Sequence, residues 1–262
     1  MSVWRDWLGR LTGLGRWPTP VIDPALWSQT MAHYPFLAQR PAAQVMRLQE
    51  LSALFLAEKE FHGAQGLVIT DAMALAIAAQ ACLPVLHFGP GRQPLAWYDD
   101  FVGIVVHPEE VVARRTVQDE AGVVHQYDEV LAGEAMPDGP VMLSWRDVRA
   151  TDPDSGYSVV IHEFVHKLDL RDGLADGCPA LPRRSRTAWL AALQAAFEAH
   201  ADQVSLAERF GAEPPWLDPY GAESLSEFFA VASEAYFVNR ARFSQTHPDL
   251  TRLFDSYYLA TG

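Results

Sequence analysis

The sequence predicts an α+β fold in which helices lie before and after a small, largely antiparallel sheet. Three features predict it. Apolar positions Val45, Leu48, Leu51, Leu54 and Phe55 recur at helical spacing within 42–60. Short β-branched runs follow at 83–87, 102–106, 111–117, 123–127 and 141–144, separated by turn residues such as Glu120-Ala121-Gly122 and Pro137-Asp138-Gly139. The run 159–169 then carries two histidines four residues apart in an apolar, helix-compatible setting.

The remaining elements follow from caps and breakers. Residues 1–17 mix Arg5, Asp6, Arg10 and Arg16 with Trp4, Trp7, Leu8, Leu11 and Leu14, which argues against a cleaved signal peptide. That stretch reads as a short amphipathic helix packed on its own domain or touching a partner or membrane surface. We take 1–24 as an N-terminal segment and linker and 25–262 as one domain. Asp23 caps a short helix over 25–32, which Tyr34-Pro35-Phe36 breaks. Residues 67–70 are a strand candidate, and Thr70 or Asp71 caps an alanine-rich buried helix to about Ala81. Past the motif helix, 169–177 reads as a solvated loop, because its acidic residues do not have the spacing of a calcium loop. A helix spans 185 to about 200. Pro214-Pro215-Trp216-Leu217-Asp218-Pro219 leads rigidly into a last informative helix capped by Ser224 or Ser226.

Composition narrows the class. The chain has 262 residues, 49% apolar and 20% charged, the profile of a globular protein. A net charge of -13 disfavours a direct nucleic-acid or anionic-membrane surface and suits a basic protein partner better. No apolar run is long enough to span a bilayer. Cys82 and Cys178 make no disulfide framework, so a reducing compartment, the cytoplasm, is expected. Cys178, between glycine and proline, reads as a loop residue. His87, His107 and His125 read as ordinary strand histidines, since none has a metal-binding companion at suitable spacing.

His162-Glu163-Phe164-Val165-His166 carries the chemistry. On a helix, residues four apart share a face, so both imidazoles can reach one metal ion. Glu163 lies about 100° around the axis from His162, beside the ion and able to take a proton from water. Zinc suits the set, which points to a zinc-dependent peptidase. A structural helix with two solvated histidines is the bland alternative, but the surrounding apolar residues leave little exposed face for it. A third ligand is needed. Glu227 sits among Phe228, Phe229, Ala230 and Val231, and a carboxylate in such a setting needs a strong partner. Glu234, seven residues on, projects from nearly the same face, as a competing ligand or an acceptor for a histidine N–H. Asp169 lies within helical reach to orient an imidazole, or is a plain acid at the helix end.

His-Glu-Phe-Val-His followed by Glu-Phe-Phe-Ala in a later helix resembles the gluzincin arrangement of two histidines and a distant glutamate. The combination is similar to the anthrax lethal factor metallopeptidase domain. It is closer still to the bacterial Mlc titration factor A family of zinc peptidases, through Gly139-Pro140-Val141-Met142-Leu143-Ser144-Trp145-Arg146-Asp147-Val148, Lys167-Leu168-Asp169, Asp172-Gly173-x-Ala175-Asp176-Gly177 and the Glu227 helix. The resemblance runs from about Trp27 to Phe254. It implies a zincin-like fold and aminopeptidase-type hydrolysis of small peptides. It also implies one zinc per chain on His162, His166 and Glu227, with Glu163 as base and Tyr220 directed at the scissile carbonyl. A second implied role is non-enzymatic: binding the glucose-responsive repressor Mlc and relieving its hold on DNA. A metal-binding fold that has lost catalysis is a third reading, against which the intact Glu163 argues. We expect Val141–Ser144 to offer the strand edge on which an extended substrate pairs.

Overall fold

The computed structural model describes residues 21–118, 124–136, 139–150, 152 and 154–259. The expected N-terminal helix over 1–17 and the turn at Glu120-Ala121-Gly122 lie outside these residues. Among them, no helix is long and apolar enough to cross a membrane.

Chain order begins with α1 (Pro24–His33), α2 (Pro35–Ala38) and α3 (Ala42–Glu58), followed by β1 (Glu60–Gly63) and α4 (Asp71–Ala81). A 3-10 turn at Gln93–Tyr98 leads to β2 (Gly103–His107). A hairpin of β3 (Val111–Gln118) and β4 (Val124–Leu131) comes next, and then β5 (Gly133–Ala135) and β6 (Val141–Ser144). The rest is helical: α5 (Trp145–Arg149), α6 (Val159–Asp169), α7 (Arg183–Phe210), α8 (Leu225–Val238), α9 (Arg240–Thr246) and α10 (Pro248–Tyr258).

Caps set the boundaries. The Asp23 carboxylate accepts from the Ala25 and Leu26 amides at 2.7 and 3.2 Å and starts α1. Pro35 ends α1, yet its fixed φ suits the first helical position, so a new short helix begins there at once. Thr70 caps α4 through the Met73 amide at 3.2 Å. Ser158 caps α6 through Ile161, and Ser224 caps α8 through Glu227.

The sheet departs from expectation. Its order is β1-β2-β6-β5, with β1, β2 and β6 mutually parallel and β5 alone antiparallel, so it is mixed and not largely antiparallel. β-branched runs report strand tendency but not direction, which the connections decide. The long crossover through α4 between β1 and β2 is what parallel pairing requires. Only the β3–β4 hairpin pairs as expected, as a separate two-stranded ribbon. Two strand candidates fail. Residues 83–87 form turns buried beside the end of α4, with Pro84 inside the run and Pro90 just past it, neither able to donate to a ladder. Residues 67–70 are extended and unpaired, serving as the approach to the Thr70 cap. α7 runs about ten residues past the expected end, to Gly211 in the left-handed region at φ 67°.

Val141–Ser144 is not the free edge. It is paired on one side to β2 and on the other to β5, and β5 closes the sheet.

The core is gathered around α6 and α8. Phe164 of α6 packs against Phe55, Tyr98 and Phe101 with ring centroids 5.6, 5.0 and 5.9 Å away. Phe229 of α8 meets Trp189 and Phe254 at 5.7 Å each. Lys167 is buried on the far side of α6 and ties the sheet to it. Its ammonium donates to Asp100 at 2.8 Å and to the carbonyls of Met136 and Gly139 at 2.7 and 3.1 Å, the two ends of the β5–β6 connection. Lys167→Met strands the buried partners, so it is expected to cost about 3–5 kcal/mol, read as a lower urea midpoint. An unchanged midpoint would mean that the sheet edge is held some other way.

Candidate metal centre and active site

α6 and α8 face each other across the site, α6 contributing His162, Glu163 and His166 and α8 contributing Glu227 and Glu234. His162 and His166 lie one turn apart with ring centroids 4.7 Å apart and Nε2 atoms 3.0 Å apart. The Oε2 atom of Glu227, in the first turn of α8, is 3.0 Å from the His162 Nε2 and 3.2 Å from the His166 Nε2. These separations approach the roughly 3.3 Å between ligands of a tetrahedral ion with bonds near 2.0–2.1 Å. His162, His166 and Glu227 form the one group of three ligand-type residues among the described residues whose donor atoms could hold a metal ion together.

The far sides of both rings are tied down. The His162 Nδ1 lies 2.7 Å from Glu234 Oε1, whose other oxygen accepts from the Ser158 amide at 2.6 Å. Glu234 therefore sits behind His162, and of the two glutamates it is Glu227 that faces both Nε2 atoms. The His166 Nδ1 lies 3.2 Å from the Ser226 hydroxyl, which donates to Asp169 at 2.6 Å. Asp169 thus reaches the imidazole through Ser226 and not directly. It also accepts the Gly177 amide at 2.9 Å, so this end of 169–177 is pinned and buried where a solvated loop is expected. Asp172 and Asp176 of the same loop pair with Arg186.

With both Nδ1 atoms engaged by acceptors, each imidazole turns an Nε2 lone pair toward the same point, where the Glu227 oxygen also lies. Positive charge at that point, from a metal ion or from protons on the imidazoles, is what the three atoms call for. The electrostatics agree. Burial alone would depress the His162 imidazole, but hydrogen bonds to Glu227 and Glu234 outweigh it and hold the pKa well above the usual histidine range. Burial pushes the Glu227 carboxyl up, and the two histidines overcome this and hold it far below the usual carboxylate range. The donor set of two imidazoles and a carboxylate fits a catalytic divalent site.

Glu163 is buried beside this group, and burial raises its pKa above the ordinary value against the pull of both histidines. Its carboxylate lies against the sheet edge at Gly133. A Cβ there would come within 2.5 Å of Oε1 and 2.6 Å of Cγ. Gly133 therefore makes room for Glu163, a requirement for which nothing around it in the sequence is a signal. The obstructed atoms belong to a side chain, so Gly133→Ala is expected to displace Glu163 while the backbone holds. Activity should drop by roughly 10²-fold with metal content and Tm retained. Full activity in that variant would show that Glu163 needs no fixed position.

Tyr220 stands on a 3-10 turn, Pro219–Ala222, with its ring centroid 6.1 Å from that of His162. With Glu163, Gly133, Tyr157 and Asp218 it lines an open recess of about 190 Å³ in front of His162. His87 and His107 lie away from this group, and the side chain of His125 is outside what the structure describes. Cys82 and Cys178 are both buried free thiols.

The family model for "glucose-regulated metallo-peptidase M90" matches residues 15–259, nearly the whole chain. The chain belongs to the M90 metallopeptidase family. Its M90 relatives include the Mlc titration factor A of Edwardsiella ictaluri, 36% identical over 93% of this chain and 92% of the relative. The proteins of that name from Klebsiella pneumoniae subsp. pneumoniae and Serratia proteamaculans are 32% and 33% identical, each over 93% of this chain and 91% and 92% of their own. A metal ion is part of what M90 membership implies, and the His162, His166 and Glu227 group is chemically suited to hold one.

Proposed function

We propose that the chain is a zinc-dependent peptidase of aminopeptidase type, with one zinc held by His162, His166 and Glu227. The observation that carries this reading is the convergence of three donor atoms 3.0–3.2 Å apart, with both histidine Nδ1 atoms occupied behind them. Zinc held there supplies a Lewis acid that lowers the pKa of water toward ~7 and polarises a carbonyl. Glu163 takes the proton of the attacking water and returns it to the leaving amine. Burial raises the Glu163 pKa above the ordinary carboxylate value, the direction that favours returning the proton. The Tyr220 hydroxyl donates to the oxygen that gains charge as the carbonyl is attacked. Edge strand β5, next to Glu163, takes the backbone of an extended substrate in place of Val141–Ser144.

Asp218 supports the aminopeptidase reading, because it places an exposed carboxylate in the same recess as Glu163 and Tyr220. A free α-ammonium of a substrate would find its counter-charge there. Asp218 also accepts from the Tyr220 amide at 2.9 Å, a bond that asparagine can keep. The test is hydrolysis of matched peptides with free and N-blocked termini. Wild type is expected to prefer free termini, and Asp218→Asn to raise KM about tenfold for these alone, with kcat little changed. Equal cleavage of blocked and free peptides would remove the aminopeptidase type from the proposal.

The name of these relatives favours a second role, titration of the repressor Mlc, that this chain would carry on a surface apart from the metal group. A cytoplasmic location suits the second role.

A further inference from the structure

A cavity of about 350 Å³, larger than the recess at the metal group, lies at the other end of α8. Its walls come from α2, the segment joining it to α3 and the first turn of α3, the turns after α4, and the junction of α8 with α9. The end of α8 that forms it is about 15 Å along the helix from Glu227, at 1.5 Å per residue.

The charge of this cavity is opposite to that of the chain. Arg40 and Arg240 line it together with His87, whose imidazole is kept neutral by burial and the Arg40 charge, and among the described residues no aspartate or glutamate does, in a protein with 33 acidic and 20 basic residues. The Arg40 guanidinium donates to the Phe237 carbonyl at 3.1 Å, but its buried Nε has no hydrogen-bond partner and no described carboxylate pairs with it. Arg240 meets Asp255 at 2.6 Å through one nitrogen, while its buried Nη1 is unpartnered. Burial, helped by the Arg240 charge and opposed by Tyr236, pulls Arg40 down to about 10. Arg40 is thus a poorly solvated guanidinium that lies 5.7 Å over the Phe237 ring and has no described carboxylate partner, and a planar anion is the partner its geometry suits. Leu83, Leu86 and Phe237 add apolar surface to the wall, beside the polar Gln39 and Gln44.

We propose that this cavity binds a small organic anion, a carboxylate or phosphate monoester on an apolar body, with its charged group on Arg40 and Arg240. The site is independent of the peptidase reading. Binding there would brace the end of the helix whose first turn carries Glu227.

The test is calorimetric titration of the full chain with phenyl phosphate, phenylacetate and neutral benzyl alcohol. Saturable one-to-one binding of phenyl phosphate, phenylacetate or both, with benzyl alcohol inert, is expected, and the tighter of the two names the anion. Arg40→Gln should weaken binding at least tenfold. Because Arg40 also bonds the end of α8, the second variant is Gln44→Glu. It sets a carboxylate in the cavity wall and in the first turn of α3, where the helix dipole welcomes it. That variant should keep the wild-type Tm and still weaken the anion at least tenfold. Neither anion binding to wild type, benzyl alcohol binding equally well, or affinities that both substitutions leave unchanged would each overturn the proposal.

Discussion

Glu163→Gln is expected to lower peptide hydrolysis by roughly 10²–10⁴-fold, the range of a lost general base. The amide matches the carboxylate in size, so it fits the same space beside Gly133. It cannot take a proton at neutral pH. The three metal-facing atoms belong to other residues, so metal content should stay at the wild-type level. The proposed titration of Mlc, if it uses a surface apart from the metal group, should also survive. Kinetics, elemental analysis and a pull-down with purified Mlc read the three outcomes from one preparation. Hydrolysis persisting at wild-type rate would remove Glu163 from the mechanism. Loss of Mlc binding along with hydrolysis would mean that the two roles share one site.

Glu227→Ala and Glu234→Ala are expected to differ sharply, although the two residues stand seven apart on one helix. Glu227 faces both Nε2 atoms, and its removal leaves two protein ligands where a catalytic ion takes three. Metal should be lost on dialysis, and activity with it. Glu234 holds His162 from behind and accepts the Ser158 amide at the start of α6. Its loss should weaken metal affinity about 10–100-fold, as for other groups that orient a metal-bound histidine. The buried Ser158 amide would also be left unpaired, at about 1–3 kcal/mol of stability. Competition with a graded chelator, run beside urea denaturation, separates the two effects. Metal retained in Glu227→Ala and lost in Glu234→Ala would reverse their assignment.

Much of the site was legible because it is local. Four-residue spacing placed His162 and His166 on one face, and side-chain caps gave the start of α4 to within a residue and that of α8 to within two. What was not legible depends on chain segments far apart. Glu227 and Glu234 look alike in sequence, and only the packing of α8 on α6 gives one the front of His162 and the other its back. Asp169 acts through Ser226, which lies 57 residues away and reads in sequence as a candidate cap. Lys167 and Gly133 have roles that exist only once β5 is laid against α6. Strand direction was hidden for the same reason. Val141–Ser144 has the pattern of a strand wherever it lies in the sheet, and its neighbours on both sides are set by distant connections. The failed strand at 83–87 shows that an apolar run alone does not separate strand from buried turn.

The most direct test of the metal centre is anomalous diffraction at the zinc edge from crystals of the wild-type protein. The account predicts one peak per chain, about 2.0–2.2 Å from the Nε2 atoms of His162 and His166 and from a Glu227 oxygen. A peak bound to Glu234 in place of Glu227, or zinc elsewhere with this group empty, would contradict it.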